Sequence, residues 1–171
     1  MEYIECNDPY LLEMKREEIA RQLIRYRLRP PQTTILTRMH RKKVRAIWKQ
    51  VHQSSPPKGL QPSSCSSLLK KRDMKDVSVF IAIYKSIIPE SPLNPERIIR
   101  RTGVLNLLDA YRIYCNMFSS KSIVLDFQTV YYLIHDIKYG IATLGTCESC
   151  EREYLETVND KAFWGCPFCN K

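Results

Sequence analysis

No stretch of this 171-residue chain approaches the roughly 18 unbroken apolar residues of a membrane-spanning helix. The opening residues Met1-Glu2-Tyr3-Ile4-Glu5-Cys6-Asn7-Asp8 supply neither the basic segment nor the apolar core of a secretory leader, so a cytoplasmic protein with no membrane partner is expected. Internal repeats and a long low-complexity tail are also missing. With 44% hydrophobic and 26% charged residues the composition lies near that of ordinary soluble domains, which excludes a disordered or fibrous class. A chain of this length can bury one core, or one core plus a small metal-stapled module.

A second absence is local. Between Arg21 and Arg72 there is no Asp or Glu, whereas fourteen Lys and Arg occur there. Elsewhere thirteen basic residues face all eighteen acidic ones, a net of −5 inside a chain whose total is +9. Ordinary surfaces intersperse both signs, and local field rather than total charge captures a polyanion, so this segment reads as a nucleic-acid contact.

Asn7 or Asp8 can cap a first helix that takes Pro9 in its opening turn and runs to about Leu28, with Leu12, Ile19, Leu23 and Tyr26 forming its apolar stripe. Pro30-Pro31 is expected to end it. Residues 32 to 53 then read as a short helix (about Thr33 to Leu36), a turn (Thr37 to Met39) and a second helix of about a dozen residues, a helix-turn-helix outline whose turn lacks the favoured glycine. In that second helix Val44, Ile47, Trp48 and Val51 share one face, while Lys42, Arg45 and Lys49 point the other way. Arg38 and Arg41 sit at its leading end. An apolar inner face and a basic outer face suit a helix lying in the major groove of DNA.

Residues 53 to 67 (QSSPPKGLQPSSCSS) are too rich in Ser and Pro to continue a helix and are expected to cross the surface as a connector, with Lys58 as a phosphate contact. Lys70-Lys71-Arg72 could make another such contact or merely solvate the start of the next helix, Asp73 to Ile88. Asn94-Pro95-Glu96 opens a helix expected over 95 to 118, striped by Leu105, Leu108, Tyr111, Tyr114, Cys115 and Phe118. A last helix over 126 to 139 is capped by Asp126, striped by Phe127, Val130, Leu133, Ile134 and Ile137, and ended by Gly140. Tyr111, Tyr114, Tyr131 and Tyr132 are more amphipathic rings than one core need bury, a composition that subunit interfaces favour.

Seven cysteines are present, and four form Cys147-x-x-Cys150, fifteen residues, then Cys166-x-x-Cys169. Two-residue spacing lets each pair aim both sulfurs at one ion, and two pairs complete a tetrahedron, so one structural Zn²⁺ per chain is expected. The same four thiolates also accept iron. Tyr154-Leu155 and Ala162-Phe163-Trp164 flank the turn signal Asn159-Asp160, so a short hairpin can join the pairs as in a zinc ribbon, a module too small to fold without metal. Four thiolates leave no position for water or substrate. Cys6, Cys65 and Cys115 lack metal spacing and read as packing residues.

Three stretches together resemble the FlhC family of bacterial transcription activators, from Ile19 to Lys171. They are Arg41-Lys42-Lys43-Val44 through Trp48-Lys49 followed by Ser54-Ser55-Pro56-Pro57-Lys58-Gly59, then Gly103-Val104 through Ala110-Tyr111-Arg112-Ile113-Tyr114, and the four cysteines. The resemblance implies a hetero-oligomer with an FlhD-like protein that binds double-stranded DNA upstream of promoters and recruits RNA polymerase holoenzyme. It also implies Cys147, Cys150, Cys166 and Cys169 as zinc ligands and Arg41, Lys49 and Lys58 as the matching basic residues; Lys42 and Arg45 rest on the helical-face argument. Cys65-Ser66-Ser67 stands where an aromatic usually follows in the family, and the chain stops two residues after Cys169 where relatives often carry a tail. These departures favour conjugative-transfer or excision genes over flagellar ones as the target.

The expected architecture is mainly α: a helical DNA- and partner-binding domain over 1–140 with a helix-turn-helix-like segment, then a small four-cysteine zinc ribbon over 141–171. A zinc-ribbon RNA-binding or structural protein is the competing reading, since the basic segment would also follow an RNA backbone. A thiol-exchange enzyme would need an exposed low-pKa thiolate in a βαβ setting, and none is visible; no enzymatic role is expected.

Overall fold

The computed structural model of the chain describes residues 9–60, 62, 64–70, 73–88, 101–118, 125–158, 161–162 and 165–169. They fall into two compact units, Met1–Gly59 and Leu60–Lys171. The ribbon expected from residue 141 onward thus shares a unit with the helices that precede it.

In the first unit α1 (Pro9–Arg25), α2 (Pro30–Thr37) and α3 (Arg41–His52) enclose a core of Ala20, Ile24, Met39, Val44, Ile47 and Trp48, with Val51 packed against it. The first helix stops before Leu28, and not because of proline. The Arg27 N–H bonds the Ile24 carbonyl at 2.7 Å and the Leu28 N–H bonds the Leu23 carbonyl at 3.0 Å, the paired bonds of a Schellman turn. Leu23 and Leu28, both fully buried, supply its apolar contact. The turn needs a left-handed residue, and Arg27 takes that place with φ 63°. A side chain costs about 1–2 kcal/mol there relative to glycine. Pro30-Pro31, expected to end a helix, instead opens α2, because an N–H in the first helical turn has no intrahelical partner to lose.

Helix α2 is closed by Arg38, also left-handed at φ 55°, so arginine makes the turn at a position where glycine is favoured. His40 caps α3, its ring Nδ1 accepting the Lys42 N–H at 3.3 Å. Two side chains tie the far end of the unit: His52 Nε2 lies 2.8 Å from the Ile24 carbonyl oxygen, and Arg29 Nη1 donates to the Gly59 carbonyl at 3.3 Å.

The second unit holds α4 (Met74–Ile87), α5 (Arg101–Met117), α6 (Phe127–Lys138) and a three-stranded antiparallel sheet of β1 (Ala142–Thr146), β2 (Glu153–Val158) and β3 (Lys161–Ala162) in that order. The expected start of α5 near Asn94 and the Lys71-Arg72 pair lie outside the described residues. Its buried side is Val104, Leu107, Leu108, Ala110, Tyr111 and Tyr114, whereas Leu105, Cys115 and Phe118 are only half-buried. The expected stripe was therefore turned part-way off the true one. All four tyrosines proposed for an interface are buried within this chain. Tyr111 can be, because its hydroxyl donates to the Leu125 carbonyl at 3.1 Å; Tyr114 can be, because Asp76 Oδ1 accepts from it at 3.2 Å. Edge-on contacts join Phe80 to Tyr114 (5.9 Å) and Tyr111 to Phe127 (5.0 Å).

Asp126 caps α6, accepting the Thr129 N–H at 2.6 Å, and Gly140 follows the helix with φ 69°. From α6 the fully buried carboxylate of Asp136 reaches the segment expected to cross the surface. Its Oδ2 accepts from both the Ser64 hydroxyl and the Cys65 N–H at 2.7 Å, and Ser64 and Cys65 are buried there. Burial raises the Cys65 thiol far above its ordinary value, with Asp136 adding to the effect, so that thiol is inert.

Candidate nucleic-acid interface and metal centre

The three helices of the first unit sort the basic run into two groups. Val44, Ile47 and Trp48 face inward, which turns Arg41, Lys42, Arg45 and Lys49 to solvent along one arc of α3. Arg38, exposed, precedes the helix; Lys58, exposed, lies on the connector after it. Among the described residues none of these six forms an ion pair or a side-chain hydrogen bond. Lys43 behaves otherwise: its Nζ lies 2.8 Å from Glu13 and 3.2 Å from Glu17 of α1, and Arg21 pairs with Glu17 at 2.8 Å. Hydrogen bonds from Arg21 and Lys43 hold the Glu17 carboxyl below its ordinary value, so it stays ionised and keeps both cations occupied. Ala46, exposed among the arginine and lysine side chains, was not singled out by the sequence reasoning; its helical offset from Lys42 and Lys49 could have shown it.

In the second unit β1 delivers Cys147 at its end. The Cys147 N–H donates to the Arg152 carbonyl at 3.0 Å and the Glu151 N–H to the Cys147 carbonyl at 2.7 Å, with Glu151 left-handed at φ 56°. This turns the chain back into β2 and brings Cys150 beside Cys147. The second pair follows Gly165 (φ 74°), and the Phe168 N–H donates to Cys166 Sγ at 3.4 Å. Arg152 lies over the Phe168 ring at 4.8 Å, bracing one turn against the other.

Cys147 Sγ stands 3.7 Å from Cys169 Sγ and Cys150 Sγ 3.6 Å from Cys166 Sγ, and all four sulfurs lie within 4.8 Å of one another. A tetrahedral ion with metal–sulfur bonds of about 2.3 Å puts its sulfurs about 3.8 Å apart, so the residues present fit one. The backbone N–H groups of Cys150 and Ser149 favour the Cys147 thiolate and lower it to about 6. Cys169 is raised, because proton sharing with Cys150 and Cys147 makes a further ionisation among such close sulfurs harder. A divalent ion would ease that conflict by binding all four as thiolates and offsetting part of their charge. Glu148 and Glu151 flank the first pair and are exposed, yet four thiolates fill a tetrahedron and leave neither a water for them to act on.

The profile of a family described as Flagellar transcriptional activator (FlhC) matches residues 7–171. The chain belongs to the FlhC family. It is 25% identical over 127 residues to the Flagellar transcriptional regulator FlhC of Gallionella capsiferriformans, an alignment covering 72% of this chain and 65% of that one. To the proteins of the same name from Cupriavidus pinatubonensis and Thauera aminoaromatica it is 21% identical, over 89% and 88% of this chain and 70% and 75% of theirs. The chain thus spans about two thirds to three quarters of the length of these relatives. The family so described is one of transcriptional regulators. No helix among the described residues of this FlhC-family chain is long and apolar enough to cross a membrane.

Proposed function

We propose that the chain is the DNA-binding subunit of a transcription activator, acting with an FlhD-like partner to recruit RNA polymerase holoenzyme at flagellar or conjugative-transfer promoters. One observation carries the reading: α3 presents Arg41, Lys42, Arg45 and Lys49 on an exposed arc without a single carboxylate to neutralise them. A helix about 10–12 Å across enters a major groove about 12 Å wide, where long basic side chains reach phosphates and purine edges and a small residue such as Ala46 permits close approach. Arg38 and Lys58 extend the contact on either side of α3, and α2 with α3 forms the helix-turn-helix. Lys43 and Arg21, held by Glu17, take no part.

The quartet Cys147, Cys150, Cys166 and Cys169 holds one zinc ion whose role is structural. Zinc is favoured because a closed site of four thiolates in a reducing cytoplasm suits an ion with no redox chemistry. Residues 1–140 supply the DNA and partner surfaces, and 141–171 form the ribbon.

The test is chromatin immunoprecipitation of the tagged chain in its native cell, with and without the gene for the FlhD-like partner. Sharp partner-dependent peaks just upstream of promoter −35 elements are expected and would separate flagellar from conjugative-transfer genes. Diffuse coverage would sink the activator reading in favour of an RNA-binding ribbon.

A further inference from the structure

We infer that Arg27 is a second-site phosphate ligand: with Lys58 it grips a nucleic-acid backbone at the opposite end of α3 from Arg38 and Arg41. The inference rests on the duplex-binding reading above and assigns a contact which that reading does not contain.

The first observation is strain kept where it is easily relieved. Each helix of the first unit ends on a left-handed residue, Arg27 (φ 63°), Arg38 (φ 55°) and Gln53 (φ 50°), at the position that most often carries glycine. At Arg27 the side chain contributes nothing to the turn. Backbone groups make both Schellman bonds, Leu23 and Leu28 make the apolar contact, and Arg27 itself is exposed. Among the described residues its guanidinium has no hydrogen-bond or ion-pair partner. A strained residue whose side chain serves no fold contact points to a ligand outside the fold.

The second observation is placement. His52 Nε2 at 2.8 Å from the Ile24 carbonyl fastens the last turn of α3 beside the last turn of α1, which Arg27 directly follows. Arg29 Nη1 on the Gly59 carbonyl, 3.3 Å away, fastens the residue after Lys58 to the same α1–α2 loop. Arg27 and Lys58 therefore stand at the C-terminal end of α3, while Arg38 and Arg41 stand at its N-terminal end. Twelve helical residues rise about 18 Å, enough to cross a major groove about 12 Å wide and leave cations beside the backbone on each side. Arg25, exposed, and the lack of any carboxylate from Arg21 to Arg72 keep this end positive.

The experiment titrates the full-length chain with a mixed-sequence DNA duplex of about 40 base pairs over a salt series, since phosphate contacts are independent of sequence. Arg27→Gly is expected to raise the melting temperature, because it relieves the left-handed strain. The same variant should bind about 3- to 10-fold more weakly, with the slope of log affinity against log salt reduced by about one. Arg27→Lys should keep the slope, and Arg112→Ala, which removes an exposed cation from α5, should leave it unchanged. An unchanged slope in Arg27→Gly beside a reduced slope in Lys49→Ala overturns this inference and leaves the duplex-binding reading standing. A wild-type chain whose duplex affinity ignores salt, or yields to structured RNA, overturns the reading and the inference together.

Discussion

Replacing Asp136 tests whether the chain after residue 60 is held as described. The fully buried carboxylate takes two hydrogen bonds on Oδ2, from the Ser64 hydroxyl and the Cys65 N–H, while Oδ1 lies 3.2 Å from His135 Nδ1. Asp136→Asn can keep an oxygen at the Oδ2 position and turn its amide toward the imidazole, so it loses charge assistance but no partner. Bonds to an ionised acceptor contribute about 1.5–3 kcal/mol and neutral ones about 0.5–1.5, so two of them predict a loss of about 2 kcal/mol. Asp136→Ala strands a buried N–H as well, and a loss of about 3–5 kcal/mol follows. Burial pushes the Asp136 carboxyl up, but the donors at His135, Cys65 and Ser64 outweigh it and hold it below its ordinary value. A carboxyl lowered in the folded state stabilises above its unfolded pKa, about 3.9, and ceases to as pH falls through the folded value. Urea unfolding followed by circular dichroism should therefore show the wild-type advantage over Asp136→Asn in full near neutrality and shrinking in acid. Any metal bound by the cysteines would be released in acid from both proteins alike and cancel in the difference. Equal stabilities near pH 7, or a gap that ignores acid, would refute the argument.

Lys42→Ala and Lys49→Ala should each weaken duplex binding and flatten its salt dependence by about one unit of slope, measured by fluorescence anisotropy; an unaltered slope removes that residue from the interface. Metal analysis combined with thiol alkylation should find one zinc ion and four protected cysteines, and rapid alkylation of Cys147 or Cys166 in the loaded protein would exclude the closed site. Cys166→Ser should lose the metal and the order of the ribbon, read by amide exchange across β1 and β2; a variant that keeps its metal contradicts the assignment.

Elements whose fate is decided by their own residues were legible in the sequence. Helix α3 is one, since Val44, Ile47, Trp48 and Val51 already share a face, and the cap at Asp126 is another. The end of α1 was not, because the turn at Arg27 uses a residue that ordinarily avoids left-handed backbone, and only the buried pair Leu23 and Leu28 makes it worthwhile. The tyrosines were misjudged because Leu125 and Asp76, which satisfy Tyr111 and Tyr114, come from other elements. Strand β1 was overlooked: with only Ala142 fully buried, its alternation is too faint to read, and pairing with β2 defines it. At the candidate sites the cysteine spacing named the four side chains that come together and could hold a metal ion. Charge counting overstated the basic surface, because Glu13 and Glu17 lie before the acid-free run yet fold back onto Lys43 and Arg21.

The four-cysteine cluster and the basic helix α3 belong to different units and differ in charge. Four thiolates around one divalent ion would leave a net negative centre, and the ribbon adds exposed Glu148, Glu151 and Glu156 beside a single exposed Arg152 among its described residues. Its buried apolar residues are few, Ala142, Leu155 and Val158 among those described, far short of a self-sufficient core. Apparent metal-binding energies of about 10–16 kcal/mol in such modules are folding energies, and a bound ion would make up that shortfall. Lys85 of α4 ties the ribbon to the helices, its ammonium bonding Glu153 Oε1 at 2.6 Å at the start of β2. A half-buried pair of this kind contributes little by itself, so it fixes strand against helix while a bound metal would supply the rigidity. A bound ion would therefore act as a brace for the helices of its own unit, and its removal should loosen α4 and α6.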